Sequence, residues 1–417
     1  MSEIRRLRSG DLEDFSRIVR HAYPSIGSRS REAVSEYAES LEKRTEEDDR
    51  LSYLGLFRED ELLGGLMLND FRMNLRGRTV PALGVSLVAV DLAHKRRHVC
   101  KELMQHVLER AEADGYALTT LYPFRPDFYR RMGFGFGSPV YELDLDPAQL
   151  PRSPLRERVR LLDEESAEEA LELYRRLYRT TNGLLEKRLH ELARPLAKGN
   201  TSLAAYGGDG GVEGYAMFRF GKPEGGNFLR YDLEVLELLW ECPEALQGLL
   251  AFLGTQSDQV RRIRLLTHDA GLFHRFDDPT TRSGRLLPRV HHPVALVGAG
   301  VMYRFTDPGK ALSLIGAGPG SASSAAVELR VEDDFLWESP RSVVVVQAAD
   351  GRVETVNTEP GGRLDMRIDA FSSIAAGSAT LAGLASMGMV RCRGGCDIAG
   401  LSRALEPDSP PVCLTGF

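Results

Sequence analysis

The chain is 417 residues long, 42% hydrophobic and 27% charged, with a formal net charge of −7. At about 150 residues per domain this length holds two or three domains, and the composition is that of packed globular protein rather than disordered chain. The negative balance leaves no global basic field for nucleic acid or an anionic membrane surface, and no apolar run approaches the ~18–20 residues that cross a bilayer, so neither partner is expected.

The chain opens on a strand-like IRRLR, and Ser9-Gly10-Asp11 then marks a helix start. Leu12, Phe15, Ile18, Val19 and Ala22 form the apolar stripe of an amphipathic helix. Leu51–Phe57, a turn at Arg58–Asp60 and Leu62–Leu68 read as a β-hairpin. Val85–Val90 is an apolar strand that breaks into the basic turn His94-Lys95-Arg96-Arg97, and the next helix has Leu103, Met104, Val107 and Leu108 on its core face.

The same order returns from residue 159. Val159-Arg-Leu-Leu, a helix start at Asp163–Ser166 and a stripe of Ala170, Leu173, Leu177 and Tyr178 run in register with Ile4–Tyr23, and a second hairpin follows, turning at 207–211. Two echoes in one order imply two copies of one α/β domain. After residue 300 the pattern changes to strands around Val327–Val331, Ser342–Gln347 and Leu364–Asp369, then a small-residue helix over 371–388, with the Gly/Ser-rich 316–324 as a linker or loop. That texture predicts a third domain of α+β type.

A strand feeding a helix N-terminus presents unpaired N–H groups and the positive dipole end together, a setting for a pyrophosphate, and Lys95-Arg96-Arg97 add charge-assisted donors. On spacing alone a solvated basic loop fits equally well. Five scattered cysteines, Cys100, Cys242, Cys392, Cys396 and Cys413, read as reduced thiols of a cytoplasmic protein. Cys392 and Cys396 lack the CxxC spacing and His291–His292 has no HExxH context, so no metal is expected. The first residues, MSEIRRLRSGDLEDF, carry no apolar signal region.

The segment VAVDLAHKRRHVCKELM resembles the coenzyme-A motif of GNAT acetyltransferases, and LYPFRPDFYRRMGFGFG resembles that superfamily's next strand-and-helix unit. Along nearly its whole length the chain is similar to the enhanced-intracellular-survival (Eis) family. The resemblance implies an α/β (α+β) chain of tandem GNAT-type mixed-sheet domains at 1–145 and 146–300, then a sterol-carrier-protein-like α+β domain at 301–417. It implies acetyl-CoA as co-substrate, held by the backbone of Val88, Ala89 and Val90, by Arg96, Arg97, His98, Val99, Cys100 and Lys101 around the pyrophosphate, and by Phe124 and Arg125 beside it. Tyr129 would be the acid, with Arg125, Arg130 or Arg131 able to lower its pKa. The carboxylate of Phe417, at the end of the apolar PPVCLTGF, would be the base, and Ser86 and Leu87 would floor the acceptor pocket.

Two departures qualify the resemblance. The motif's two small positions are His98 and Cys100, whose side chains could crowd the phosphates while helical backbone angles suit any residue. Gly416 stands beside Phe417 where aminoglycoside-acetylating members have an acidic residue, and the rim Ser25–Arg31 is basic. Aminoglycosides therefore stay open as acceptors beside other small-molecule or lysine amines. The acidic turn Glu241–Glu244 argues against a coenzyme in the second repeat. Family members assemble as trimer-based hexamers, which implies a homo-oligomer. A non-catalytic acyl-CoA-binding or scaffold protein is the competing reading, and a lipid carrier using the third domain is the third.

Overall fold

A computed structural model of the chain describes residues 2–208, 210–223, 229–281, 286–315, 323–347 and 353–417. Its contacts divide it into two compact units, 1–137 with 301–411 and 416–417, and 138–300 with 412–415. Most of the loop expected at 316–324 and the tip of the turn at 207–211 lie outside the described residues.

The first unit begins with β1 (Ser2–Arg6), α1 (Leu12–Ala22) and α2 (Arg31–Glu47), followed by β2 (Leu51–Arg58), β3 (Glu61–Leu75) and β4 (Arg78–Val90). After α3 (Val99–Ala113) come β5 (Leu118–Leu121), α4 (Pro126–Arg130) and β6 (Gly135–Phe136). Asp11 sets the start of α1 by accepting from the Arg8 N–H at 2.7 Å while paired with Arg5. α1 packs Leu12, Phe15, Ile18 and Val19 with Tyr53, Phe57 and Met67, whereas α3 packs Leu103, Met104, Val107 and Leu108 with Leu54, Leu56, Leu66 and Leu68. Alternate residues of β2 and β3 thus serve two cores, and both strands read as continuous apolar runs. Their hairpin turns through Glu59 and Asp60 at φ 51° and 65°, a pair of left-handed residues that matches the twist of the strands it joins.

The sheet order is β1-β2-β3-β4-β5, then strand Met302–Phe305, then β6. In the second unit the order is 296–298, 140–145, 260–267, 231–240, 211–220, 202–208, 159–162. Read from the 159–162 end, it repeats the first sheet strand for strand, with helix Ala167–Tyr178 in the place of α1. In both sheets the strand beside the fifth comes from outside the sequential repeat. Val140–Leu145, which the sequence reading assigned to the first domain, pairs antiparallel with Val260–Thr267 in the second sheet. Met302–Phe305, assigned to the third domain, pairs with β5 and β6 in the first. The expected boundaries at 145 and 300 therefore differ from the sheet memberships. A short strand satisfies any antiparallel edge that offers free backbone groups, and its local pattern does not say which.

The described residues of 308–315, 323–347 and 353–411 form a five-stranded sheet, ordered 353–355, 341–347, 323–332, 362–367, 390–394, with helices Pro308–Ile315, Ile368–Ala376, Leu381–Ser386 and Ile398–Leu405. The single helix expected over 371–388 is two. Gly377 takes φ 85° and lies so close to Pro407 that a Cβ would come within 2.3 Å of it, and Thr380 then caps the second helix. Within the unit, Arg76 at the β3–β4 turn donates to the carbonyls of Ile315, Ile374 and Ala375 at the C-terminal ends of two of these helices. Buried Arg304 pairs with Asp333 and donates to the Met132 carbonyl at 2.8 Å.

Candidate active site

β4 and β5 run parallel for only three residue pairs, ending at Gly84↔Thr120, after which β4 continues without β5. A register shift between Gly65 and Met67 of β3 leaves Leu87 and Val88 of β4 as a bulge, with Leu87 at φ 51°. The bulge re-aims the backbone, and the Tyr23 hydroxyl donates to the Val88 carbonyl at 2.8 Å. Beyond the bulge a cavity of about 520 Å³ opens, lined by Val88, Val90, Arg96, His98, Val99, Cys100, Lys101, Phe124, Arg125 and Tyr129.

One space thus gathers most of the residues that the sequence singled out. Ala22, Tyr23, His94, Lys95 and Phe128 complete its wall. Tyr23 escaped the sequence reading because it follows the last turn of α1, and only the tertiary fold carries it to β4. Among the expected cofactor residues, two lie outside the lining. Ala89 is 1% exposed and packs with the α1 core, and Arg97 turns to His94 Nδ1 at 3.3 Å. Neither Ser86 nor Leu87 lines this cavity; Ser86 accepts from Asn69 Nδ2 at 2.9 Å, and Leu87 packs with the α1 core.

The turn before α3 brings the N–H groups of a helix start and basic side chains to one place. No side chain caps α3, so the N–H groups of its first turn, at Val99, Cys100 and Lys101, have no partner within the helix. Among the described residues Lys95 and Arg96 carry no ion pair or hydrogen bond and line the same space. Arg96 and His98 sit at φ 64° and 61°, in the left-handed region. Of the two atypical positions, His98 thus departs from the helical angles that would suit any residue, and Cys100 keeps them. At His98 the backbone conformation, and not only side-chain clearance, favours glycine, at a cost of roughly 1–2 kcal/mol for an L-residue. Cys100 is an ordinary helical residue, and burial pushes its thiol up to about 12, so it is a neutral wall group.

Tyr129 is 6% exposed on α4, edge-on to the rings of Phe128 and Phe134. Among the described residues its hydroxyl has no hydrogen-bond partner. Burial raises its pKa well above the ordinary phenol value, with Cys100 and Tyr23 adding to the effect. The expectation that neighbouring arginines lower it is not met, because they are engaged elsewhere. Arg125 and Arg131 pair with Asp127, each at 2.8 Å, and Arg130 pairs with Asp369 at 2.9 Å.

The terminal Phe417 ring lies 5.1 Å from Phe71 and 5.2 Å from Tyr122, centroid to centroid. Phe71 covers Gly84, where a Cβ would come within 2.5 Å of its ring, and Tyr122 is two residues past Thr120. The chain end therefore sits where β4 and β5 part. In the second unit, Val412 N–H donates to Asn182 O at 2.7 Å and Cys413 O meets His268 Nε2 at 3.0 Å, while Val412 and Leu414 pack on that unit's core.

Residues 3–137, which contain every residue lining this cavity, match the acetyltransferase (GNAT) domain family. A second acetyltransferase (GNAT) domain matches at 177–295 and a sterol carrier protein domain at 308–414. Along one chain the matches run in the order of two GNAT domains followed by a sterol-carrier-type domain. It is 27% identical over 150 residues to an uncharacterized N-acetyltransferase of Streptomyces avermitilis, covering 36% of this chain and 35% of that one. It is 30% identical over 87 residues to the N-acetyltransferase Eis of Mycobacterium tuberculosis, covering 21% and 22%. The matches thus span about a third or less of these relatives' length. Two crystal structures share the fold: a GCN5-related N-acetyltransferase of Kribbella flavida (TM-score 0.78, 23% identity, 100% of this chain and 98% of that one) and Eis1 of Mycobacterium abscessus (0.76, 22%, 100% of each).

Proposed function

We propose that the chain is an acetyl-CoA-dependent N-acetyltransferase whose reaction takes place in the first GNAT domain, on a primary amine of a small molecule or a lysine. The observation that carries this reading is the convergence of the unpaired α3 N–H groups, Lys95, Arg96 and the bulged β4 backbone on one cavity. The N–H groups of Val99, Cys100 and Lys101 suit the pyrophosphate, with Arg96 and Lys95 balancing its charge. The edge of β4 from Val88 to Val90 offers hydrogen-bonding groups to the pantetheine arm.

When bound, acetyl-CoA supplies an acetyl thioester. The Phe417 carboxylate takes a proton from the acceptor ammonium, directly or through water, so that a neutral amine attacks the carbonyl carbon. A C–N bond forms, the C–S bond breaks, Tyr129 gives its proton to the departing sulfur, and the extra proton left on the new amide nitrogen returns to the Tyr129 phenolate, directly or through water. Burial that keeps the phenol protonated supports the assignment of Tyr129 as acid. The place of the Phe417 ring at the parting of β4 and β5 supports the carboxylate role.

The basic rim at Ser25–Arg31 and Gly416 beside Phe417 favour acceptors less cationic than aminoglycosides. The free thiols fit a reducing, cytoplasmic setting, and a trimer-based homo-oligomer is part of the same proposal. The competing reading, a non-catalytic acyl-CoA-binding protein, draws on His98 and Cys100 in place of small residues. Calorimetric titration with acetyl-CoA, followed by an amine panel read by release of free thiol, separates the two. Binding with thiol release supports the enzyme, and tight binding without turnover on any amine supports the alternative.

A further inference from the structure

A second cleft, of about 720 Å³, lies on the far side of α4 from the cavity above, between that helix and the five-stranded sheet. Phe128 and Tyr129 line the first cavity, whereas Asp127, Arg130 and Arg131 line the second. Three adjacent strands of the sheet supply the opposite wall. Their register sets Arg330 beside Asp365 and Asp365 beside Arg391, with Arg363 beside Arg393.

Six arginines and four carboxylates line the cleft, an excess of two positive charges in a chain whose formal charge is −7. The carboxylates are outnumbered where they are buried. Asp365, with a side chain 12% exposed, meets Arg393 at 2.9 Å, Arg363 at 3.0 Å and Arg330 at 3.9 Å. Asp369, 5% exposed, meets Arg130 at 2.9 Å and Arg367 at 3.5 Å. Arg391 has no ion pair or hydrogen bond among the described residues. Like charges gathered this closely repel one another, and one or two buried carboxylates offset only part of that.

We propose that this cleft binds a small multivalent anion, a molecule carrying clustered phosphate or carboxylate groups, with Arg391 and Arg393 as its principal contacts. Arginine's planar fork suits both groups bidentately. The cleft's volume suits a small ligand, and the chain's overall negative charge disfavours an extended polyanion such as nucleic acid. Phe136, whose ring lies under the Arg130 guanidinium at 5.7 Å, and Met389 give the floor an apolar part for the ligand's carbon skeleton.

The test titrates the full chain with inorganic tripolyphosphate, and separately with citrate, by calorimetry in saturating coenzyme A, so that the first anion-binding turn is filled. The proposal expects one saturable site, weakened by added salt and weakened at least about tenfold by Arg391→Glu, while coenzyme A affinity is unchanged. Because Arg391 makes no ion pair, its replacement leaves the protein's own contacts intact; Arg391→Gln gives the same reading if charge reversal disturbs folding. Binding of tripolyphosphate alone assigns phosphate chemistry, and displacement by citrate assigns carboxylates as well. The absence of saturable binding of either anion at millimolar concentration, or affinity unaltered in both Arg391 variants, overturns it. Neither result bears on acetyl transfer.

Discussion

Phe417 offers a perturbation whose size follows from geometry. Its ring makes two aromatic contacts, with Phe71 at 5.1 Å and Tyr122 at 5.2 Å. At about 0.5–1.5 kcal/mol each, the pair holds the chain end with ~1–3 kcal/mol beyond simple burial. Phe417→Leu keeps the carboxylate and loses both contacts, so it should lower turnover by at most about 5–150-fold. Adding one glycine after Phe417 keeps the ring and moves the carboxylate by up to ~3.6 Å, further than a hydrogen bond can stretch. If that carboxylate is the base, the extension removes a contribution of about 10²–10⁴ in rate. Thiol release on a responsive amine measures turnover, and calorimetry with acetyl-CoA should show both variants binding the coenzyme as before. An extended chain that turns over at the full rate would falsify the carboxylate role. An extended chain that no longer folds would show instead that the tail is structural.

Arg96→Glu with Arg97→Glu should weaken acetyl-CoA binding severely by reversing charge at the turn, and unchanged affinity with an intact fold would place the site elsewhere. Replacing His98 with glycine and Cys100 with alanine should leave binding equal or better, because glycine adopts φ 61° without strain; a marked loss in a folded protein would make His98 a ligand. Tyr129→Phe should impair turnover and spare coenzyme binding. Since burial raises the folded pKa of Tyr129 above its ordinary ~10, the acid is fully protonated at neutral pH and deprotonates only above that value; an alkaline loss of kcat near pH 7–8 that disappears in Tyr129→Phe would contradict the assigned cause of the shift. Arg304→Ala should destabilise the first unit by about 3–5 kcal/mol in urea unfolding, because Asp333 is left buried and uncompensated. Arg304→Met combined with Asp333→Leu should recover most of that loss.

The parts of the site that were legible in the sequence are those held together by local chemistry. The amphipathic stripe of α1, the strand-to-helix turn at Lys95–Lys101 and the repeat from Val159 are patterns of three to four residues or of simple alternation, and short-range sterics translate them into helix and strand wherever the chain lies. The apolar end at Phe417 could be singled out because chain ends are ordinarily polar and frayed. The handedness of His98 was less accessible, since a resemblance that places histidine at a small position does not say whether the position is small for space or for φ.

What the sequence by itself determined is the set of elements, their order and the internal repeat, and it singled out most of the residues that line one cavity. The tertiary structure alone decided that Met302–Phe305 closes the first sheet and Val140–Leu145 the second, that β4 leaves β5 after Gly84, and that Tyr23 reaches the Val88 carbonyl. It also placed the ring of Phe417 between Phe71 and Tyr122. The physical reason is one of range. Helix and strand follow from hydrogen bonds and clashes a few residues apart, whereas the partner of a strand edge or of a terminal ring is chosen among sites hundreds of residues away by shape, burial and unsatisfied backbone groups, and these exist only once the chain has closed on itself.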